Sequence, residues 1–357
     1  MALRGFDSGE ATKFPTYASR VSSAWSSVAN QPSRWQVKTG AYAASMGVDT
    51  TDPFYGTTHF HLLSATDRTV AMRRHFAATP AESYISFVFK LDALVARDVF
   101  QLTTAAATPV TSMRIHSDAS GNILVYAATT LKKTIVTGWG ANTWHQIRIH
   151  QKTSDNTLEV ILDNGAIEDC SGTAMLPWYF LVLGNPNNNT TATSHLYIDA
   201  IQVNDTTGSV NNSWPDSPRI PTAIRPDGDT ASTDWARSSG SNDSDMIKEE
   251  QPDLDTTYVS SSNIGDASRY TFGNLAEPSN AVIIGVCLTI VAKRADAAKI
   301  IPVVSRGGTT VELTAVDVET DYMSPIEVII EQDPIAVGAW TQTNLNATEF
   351  GIKHASP

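Results

Sequence analysis

At 357 residues the chain is longer than one hydrophobic core usually serves, which predicts two domains. Its residues are 41% apolar and only 17% charged, with Thr, Ser, Asn and Ala making up the difference, a composition that suits pleated strands and polar corners. Charge is uneven: 15 Lys and Arg stand against 16 Asp and Glu up to Trp214, and 10 against 21 after it, so the acidic second half argues against a nucleic-acid partner.

Cys170 and Cys287 supply no disulfide framework and read as free thiols. The opening Met1-Ala2-Leu3-Arg4-Gly5 has no apolar run of signal-peptide length behind it, so synthesis is expected to end in a cytoplasm. The longest apolar run, 281–292, is too short to cross a bilayer, and no membrane insertion is expected.

In chain order, Gly5-Phe6-Asp7 fits a first strand, and Phe14, Tyr17 and Trp25 among small polar residues fit a crossing loop. From Ser83 the pattern sharpens, because Ile85, Phe87, Phe89 and Leu91 alternate with Tyr84, Ser86, Val88 and Lys90 and predict a core strand. Val99–Leu102, Met113–His116 and Ile123–Tyr126 follow at sandwich-like spacing, the last two joined by the polar turn Ser117–Gly121. Trp144–His150 and Leu158–Leu162 alternate on either side of Ser154-Asp155-Asn156 and predict a hairpin closed by an Asp163-Asn164-Gly165 corner suited to positive φ. Leu196–Val203 reads as a long closing strand.

Between Gly208 and Gly240 the periodicity disappears and Pro215, Pro218, Pro221 and Pro226 restrict the backbone to extended forms, so a boundary is placed near Trp214. Further strands are predicted around Tyr258, over Arg269–Phe272, within 281–292, over Lys299–Val304, Thr310–Leu313 and Ile326–Ile330, then a turn at Trp340–Leu345 and a last strand at Glu349–Lys353. Ala292–Ala298 is the one segment that tempts a helical reading.

The hairpin at 144–165 and the closing strand at 196–205 resemble the middle and end of laminin-G-like and concanavalin-like jelly rolls. Together with the composition, the prolines and the strand pattern, that resemblance implies an all-β chain of two β-sandwich domains: a laminin-G/concanavalin-like jelly roll over 1–210, a Pro-rich ordered linker over 211–240 and a smaller sandwich over 241–357. Asp199–Ser209, Trp214–Ile220, Arg225–Asp229, Thr233-Asp234-Trp235 and Glu250–Val259, with Trp340 and Glu349-Phe350-Gly351 near the end, are similar to the joint and second domain of tailed-bacteriophage virion proteins. The implied role is a non-enzymatic structural component of the tail, tail tip or fibre, or a capsid decoration protein, made in the host cytoplasm and incorporated in the virion. Its expected partners are other virion proteins and further copies of itself in a symmetric assembly. The alternatives are an adhesin that binds a host surface glycan and a glycan-cleaving enzyme.

Chemistry is sparse in the sequence. Glu159 and Asp163 lie four apart on one strand and read as solvated surface, and no Glu-x-Asp-x-x-Glu strand for glycoside hydrolysis is present. His59 and His61 would share a strand face with nothing nearby to complete a metal set. Asp163, Asn164, Asp199 and Asp205 offer hard oxygens for calcium, each with a turn or strand-end explanation of its own. Trp144 reads as core, and Trp139 and Trp178 as interface residues, with sugar stacking by Trp139, Trp178 and Tyr179 as the alternative.

Overall fold

The computed structural model describes residues 3–7, 35–39, 46–49, 59–64, 70–76, 79–104, 110–186, 193–207, 210–215, 222–249, 255–278, 281–295, 298–320 and 326–356. Phe14, Tyr17 and Trp25 lie outside them, as does the side chain of His59. Two compact units divide the chain at Pro221/Thr222. The boundary expected near Trp214 falls at 221/222, and residues 222–240 of the expected linker belong to the second unit.

The first unit contains β1 (Leu3–Asp7), β2 (Trp35–Thr39), β3 (Met46–Asp49), β4 (His59–Ser64), β5 (Val70–His75), β6 (Glu82–Leu91), β7 (Arg97–Thr103) and β8 (Thr111–Ser117). It continues with β9 (Ile123–Ala127), β10 (Thr130–Ile135), β11 (His145–Lys152), β12 (Thr157–Leu162), β13 (Glu168–Asp169), β14 (Phe180–Asn185) and β15 (Ser194–Asp205). One sheet runs β13-β12-β11-β6-β15-β4-β3 with β1 also on β15, and the other runs β10-β9-β8-β7-β14-β5-β2. Every pairing is antiparallel. Ile85, Phe87 and Phe89 of β6 and Ile147 and Ile149 of β11 meet Val99, Phe100, Leu102, Met113, Ile115 and Val125 of the facing sheet in one buried cluster, the core of a jelly-roll sandwich. Burying a side chain of this size contributes roughly 1.5–3 kcal/mol, and the alternation along β6 decides which side receives it.

The predicted hairpin is present with Ile147 opposite Leu162 and Lys152 opposite Thr157. Asn156 in its turn takes a φ of 59° and Asp163 at its corner one of 51°, so the left-handed residue of that corner is the aspartate and not the glycine. In the Ser117–Gly121 turn the Asp118 side chain accepts the backbone N–H groups of Ser120 and Asn122.

The second unit contains β16 (Pro226–Thr233), β17 (Ala236–Arg237), β18 (Val259–Ser260), β19 (Ala267–Phe272), β20 (Val286–Ile290), β21 (Lys299–Arg306), β22 (Thr309–Glu312), β23 (Val316–Asp317), β24 (Ile326–Ile330) and β25 (Glu349–Ala355). The sheet β16-β19-β25-β21-β22, with β23 on β21, faces the ribbon β20-β24. Val304 and Phe350 of the sheet and Ile330 of the ribbon bury together with Leu275, Trp340 and Leu345, giving the smaller sandwich. Pro226 opens β16 at the sheet edge, where its missing N–H is tolerated.

Two expectations change here. Ala292–Ala295 is irregular and not helical, whereas Gln342–Asn346, expected as a turn, forms the short helix α1. Thr341 caps it, its hydroxyl accepting the Asn344 N–H at 3.1 Å. Cys170 and Cys287 are free thiols, as expected, and burial pushes the Cys170 thiol up to about 11. No helix among the described residues is long and apolar enough to cross a membrane.

Candidate functional site

Residues directly opposed on antiparallel strands point to the same face, so sending Ile85, Phe87 and Phe89 inward sends Glu82, Tyr84, Ser86, Val88 and Lys90 outward. Register then builds rows across the outer face of the larger sheet. Asn204, Tyr84, His150 and Glu159 form one, and Gln202, Ser86, Arg148 and Ile161 the next. The following row holds Asp199, Val88 and Gln146. Its β6, β11 and β12 side is half-buried at Glu82, Tyr84, Gln146, Arg148, His150 and Glu159, whereas Ser86, Val88 and Gln202 are buried.

His150 is the hub. Its Nε2 lies 2.8 Å from Glu82 Oε1 and its Nδ1 2.8 Å from Glu159 Oε2. Both ring nitrogens therefore face carboxylate oxygens, and neither is left to ligate a metal. Tyr84 stacks on it with ring centroids 4.4 Å apart and an interplanar angle of 6°, and the Tyr84 hydroxyl donates to Glu82 Oε1 at 3.1 Å. Burial, with the hydrogen bond to Glu82 and the charges of Glu82 and Glu159, pushes the Tyr84 phenol up to about 12. Trp214 closes the cluster edge-on, its ring centroid 5.6 Å from Tyr84 and 5.7 Å from His150. The second oxygens of Glu82 and Glu159 accept no hydrogen bond from the described chain.

Arg148, two residues before the hub, donates from Nη2 to the Asp163 carbonyl at 3.2 Å, and its Nε is buried without a partner. Across Ser86, Gln202 donates from Nε2 to Asn204 Oδ1 at 2.9 Å and leaves its own Oε1 buried without a donor. The Asn204 amide is fixed by donation to the Ser213 carbonyl at 3.1 Å, which orients the chain of amides. Ser86 accepts from Gln146 Nε2 at 2.9 Å. Further along the same face Lys90 Nζ lies 4.9 Å above the Trp144 ring and 4.7 Å from the Tyr197 ring, and His61 stacks on Tyr197 and hydrogen-bonds His195.

The residues expected from sequence are distributed differently. Trp178 is 0% exposed and meets Phe76 edge-on at 5.1 Å, so it is a core residue and not an interface or stacking platform. Tyr179 packs with Ala71, Phe180 and Val182, and Trp139 stacks on His145 at 3.7 Å while leaning on the core. The three are not gathered into one platform. Trp144 is the opposite correction: read as core, it stands on the outer face beside Lys90.

The calcium set is not assembled either. Asp163 accepts the Gln146 N–H at 2.8 Å and faces His145 Nδ1 at 3.0 Å, and Asn164 is exposed. Asp199 is buried and accepts the Ala200 N–H, with β6 and β11 between it and Asp163. Asp205 is buried and accepts from the Thr207 N–H and hydroxyl. No three His, Cys, Asp or Glu side chains group as a metal set among the described residues. Glu159 and Asp163 do not form a pair, because the left-handed turn at Asp163 carries its carboxylate to His145. Glu159 instead meets Glu82 through His150, and the imidazole fills the space a substrate and its water would need between the two carboxylates.

No family model matches the chain, and no curated protein matches it. Solved structures do. A sialidase superposes with a TM-score of 0.38 at 9% identity over 48% of this chain and 17% of its own length. The alginate lyase AlgAT5 of polysaccharide lyase family 7 gives 0.36 at 10% over 45% of this chain and 82% of its own. The catalytic domain of a glycoside hydrolase family 131 protein from Coprinopsis cinerea gives 0.39 at 13% over 60% and 99%. The expectation that the chain is not an enzyme is corrected here: the structures it matches are named as enzymes. Their activities remain theirs, and what this chain shares with them is an all-β sandwich.

Proposed function

We propose that the first unit binds carbohydrate on the outer face of its larger sheet. The observation that carries this reading is the Glu82–His150–Glu159 bridge walled by Tyr84 and Trp214. A sugar ring presents C–H faces that pack on aromatic rings and hydroxyls that donate to carboxylates, and this cluster offers both on rigid strands. Holding His150 between two carboxylates fixes the acceptors before a ligand arrives, which lowers the ordering cost of binding. The full chain on a glycan array should bind at least one oligosaccharide, and Tyr84→Ala should abolish that binding. Binding unchanged by Tyr84→Ala sinks the assignment. Assaying the bound sugars for new reducing ends reads any bond-breaking in the same experiment.

The setting we propose for this module is a tailed-bacteriophage particle. Support comes from the resemblance at Trp214–Ile220, Arg225–Asp229 and Glu349-Phe350-Gly351. There the chain is a tail, tail-tip or fibre-associated component touching other virion proteins and copies of itself, with a host surface glycan as its ligand. Antibody-gold labelling should mark one fixed place on purified virions in regular copy number, and unlabelled virions would defeat this setting.

A further inference from the structure

We infer that the site selects an uncharged, hydroxyl-rich glycan over one carrying carboxylates; this rests on the carbohydrate reading above. The inference follows from what the face leaves unpaired. On the acceptor side are the second oxygens of Glu82 and Glu159, whose side chains are 20% and 29% exposed. On the donor side is the half-buried Arg148 guanidinium, one Nη of which is bonded to a neutral backbone carbonyl. Both of these acceptors are anionic.

A hydroxyl suits both kinds, donating to a carboxylate or amide oxygen and accepting from the guanidinium. A sugar carboxylate at neutral pH only accepts. It could satisfy Arg148, but it would meet the charge of Glu82 and Glu159. His150 has no ring nitrogen left for a ligand, since Glu82 and Glu159 engage both. Lys152, the nearest further cation along β11, is paired to Asp155 at 3.0 Å. Arg148 therefore stands as one positive donor beside two carboxylates, which favours neutral polyols.

The test is isothermal titration of the full chain with cellohexaose, maltohexaose, mannohexaose and chitohexaose in its N-acetylated form, against hexagalacturonate. The result expected is binding to a neutral probe at least tenfold tighter than to the uronate, with the gap widening at low salt as repulsion is less screened. Arg148→Gln should weaken neutral binding about tenfold, the scale of one hydrogen bond to a charged group. Glu159→Gln should narrow the gap by raising uronate affinity several-fold. Equal or tighter uronate binding, or a gap that closes at low salt, overturns the inference and leaves the carbohydrate reading standing. Binding to none of the probes removes the carbohydrate reading itself. Urea midpoints of the two variants within the error of the parent show that any loss is local and not unfolding.

Discussion

Replacing His150 by Phe keeps a flat ring against Tyr84 and removes both hydrogen-bonding nitrogens, leaving Glu82 and Glu159 to face each other across an apolar ring. The magnitude has two parts. With each carboxylate 2.8 Å from its nitrogen, the two charges end up on the order of 7 Å apart, a repulsion of roughly 1–2 kcal/mol at an effective dielectric between protein and water. The two lost charge-assisted hydrogen bonds are worth about 1 kcal/mol each, below the value for buried pairs because the Glu82 and Glu159 side chains are 20% and 29% exposed. Together the substitution should cost about 3 kcal/mol, lowering the melting temperature of the first unit by roughly 6–12 °C. Differential scanning calorimetry reads this as a shift of one transition, and added Glu82→Gln and Glu159→Gln should recover about 1–2 kcal/mol by removing the repulsion. A His150→Phe variant within about 0.5 kcal/mol of the parent refutes the bridge as described.

In the second unit Asp333 is buried and bonds Arg306 at 2.8 Å, Asn344 Nδ2 at 3.0 Å and the Ile335 and Ala336 N–H groups. Asp333→Ala should destabilise that unit by about 3–5 kcal/mol by leaving the guanidinium uncompensated, as urea denaturation would show. Burial raises the Asp333 carboxyl, but Arg306 and the two backbone donors outweigh it and hold it below the usual range. Its stabilisation is therefore present above the unfolded carboxylate value and lost as pH falls through the folded one, so Asp333→Asn should flatten the acid limb of a stability–pH curve. Tyr84, pushed up to about 12, contributes stability that is complete below the ordinary phenol value of about 10 and lost as pH rises towards 12. Ultraviolet titration should show two late tyrosines, Tyr84 and Tyr270, whose phenol burial also pushes up, and Tyr84→Phe should remove one of them. Cys170, buried and pushed up to about 11, should resist a thiol reagent in the folded protein while half-buried Cys287 reacts first; equal rates would contradict the packing.

The strands of the first unit were legible because alternation and burial coincide, as on β6 and in the β11–β12 hairpin. The site was not. His150 touches Glu82 at a separation of 68 residues, and sequence periodicity shows that both face outward without showing that they meet. Trp214 was hidden by its prolines, which mark the joint but say nothing of where the indole packs. Trp178 and Tyr179 illustrate the limit of one residue of register, since adjacent aromatics point to opposite sides and only pairing decides which is buried. The second unit begins before its expected start because X-Pro restriction favours an extended backbone whether or not a strand follows, and at Pro226 one does.

The account rests on the outer face of the larger sheet being where a sugar sits. A crystal structure of the full chain soaked with the tightest-binding neutral hexasaccharide tests this directly. A sugar ring resting on Tyr84 or Trp214 with hydroxyls on the second oxygens of Glu82 and Glu159 is the predicted result. A sugar ordered anywhere else on the molecule, with that face bare, contradicts it.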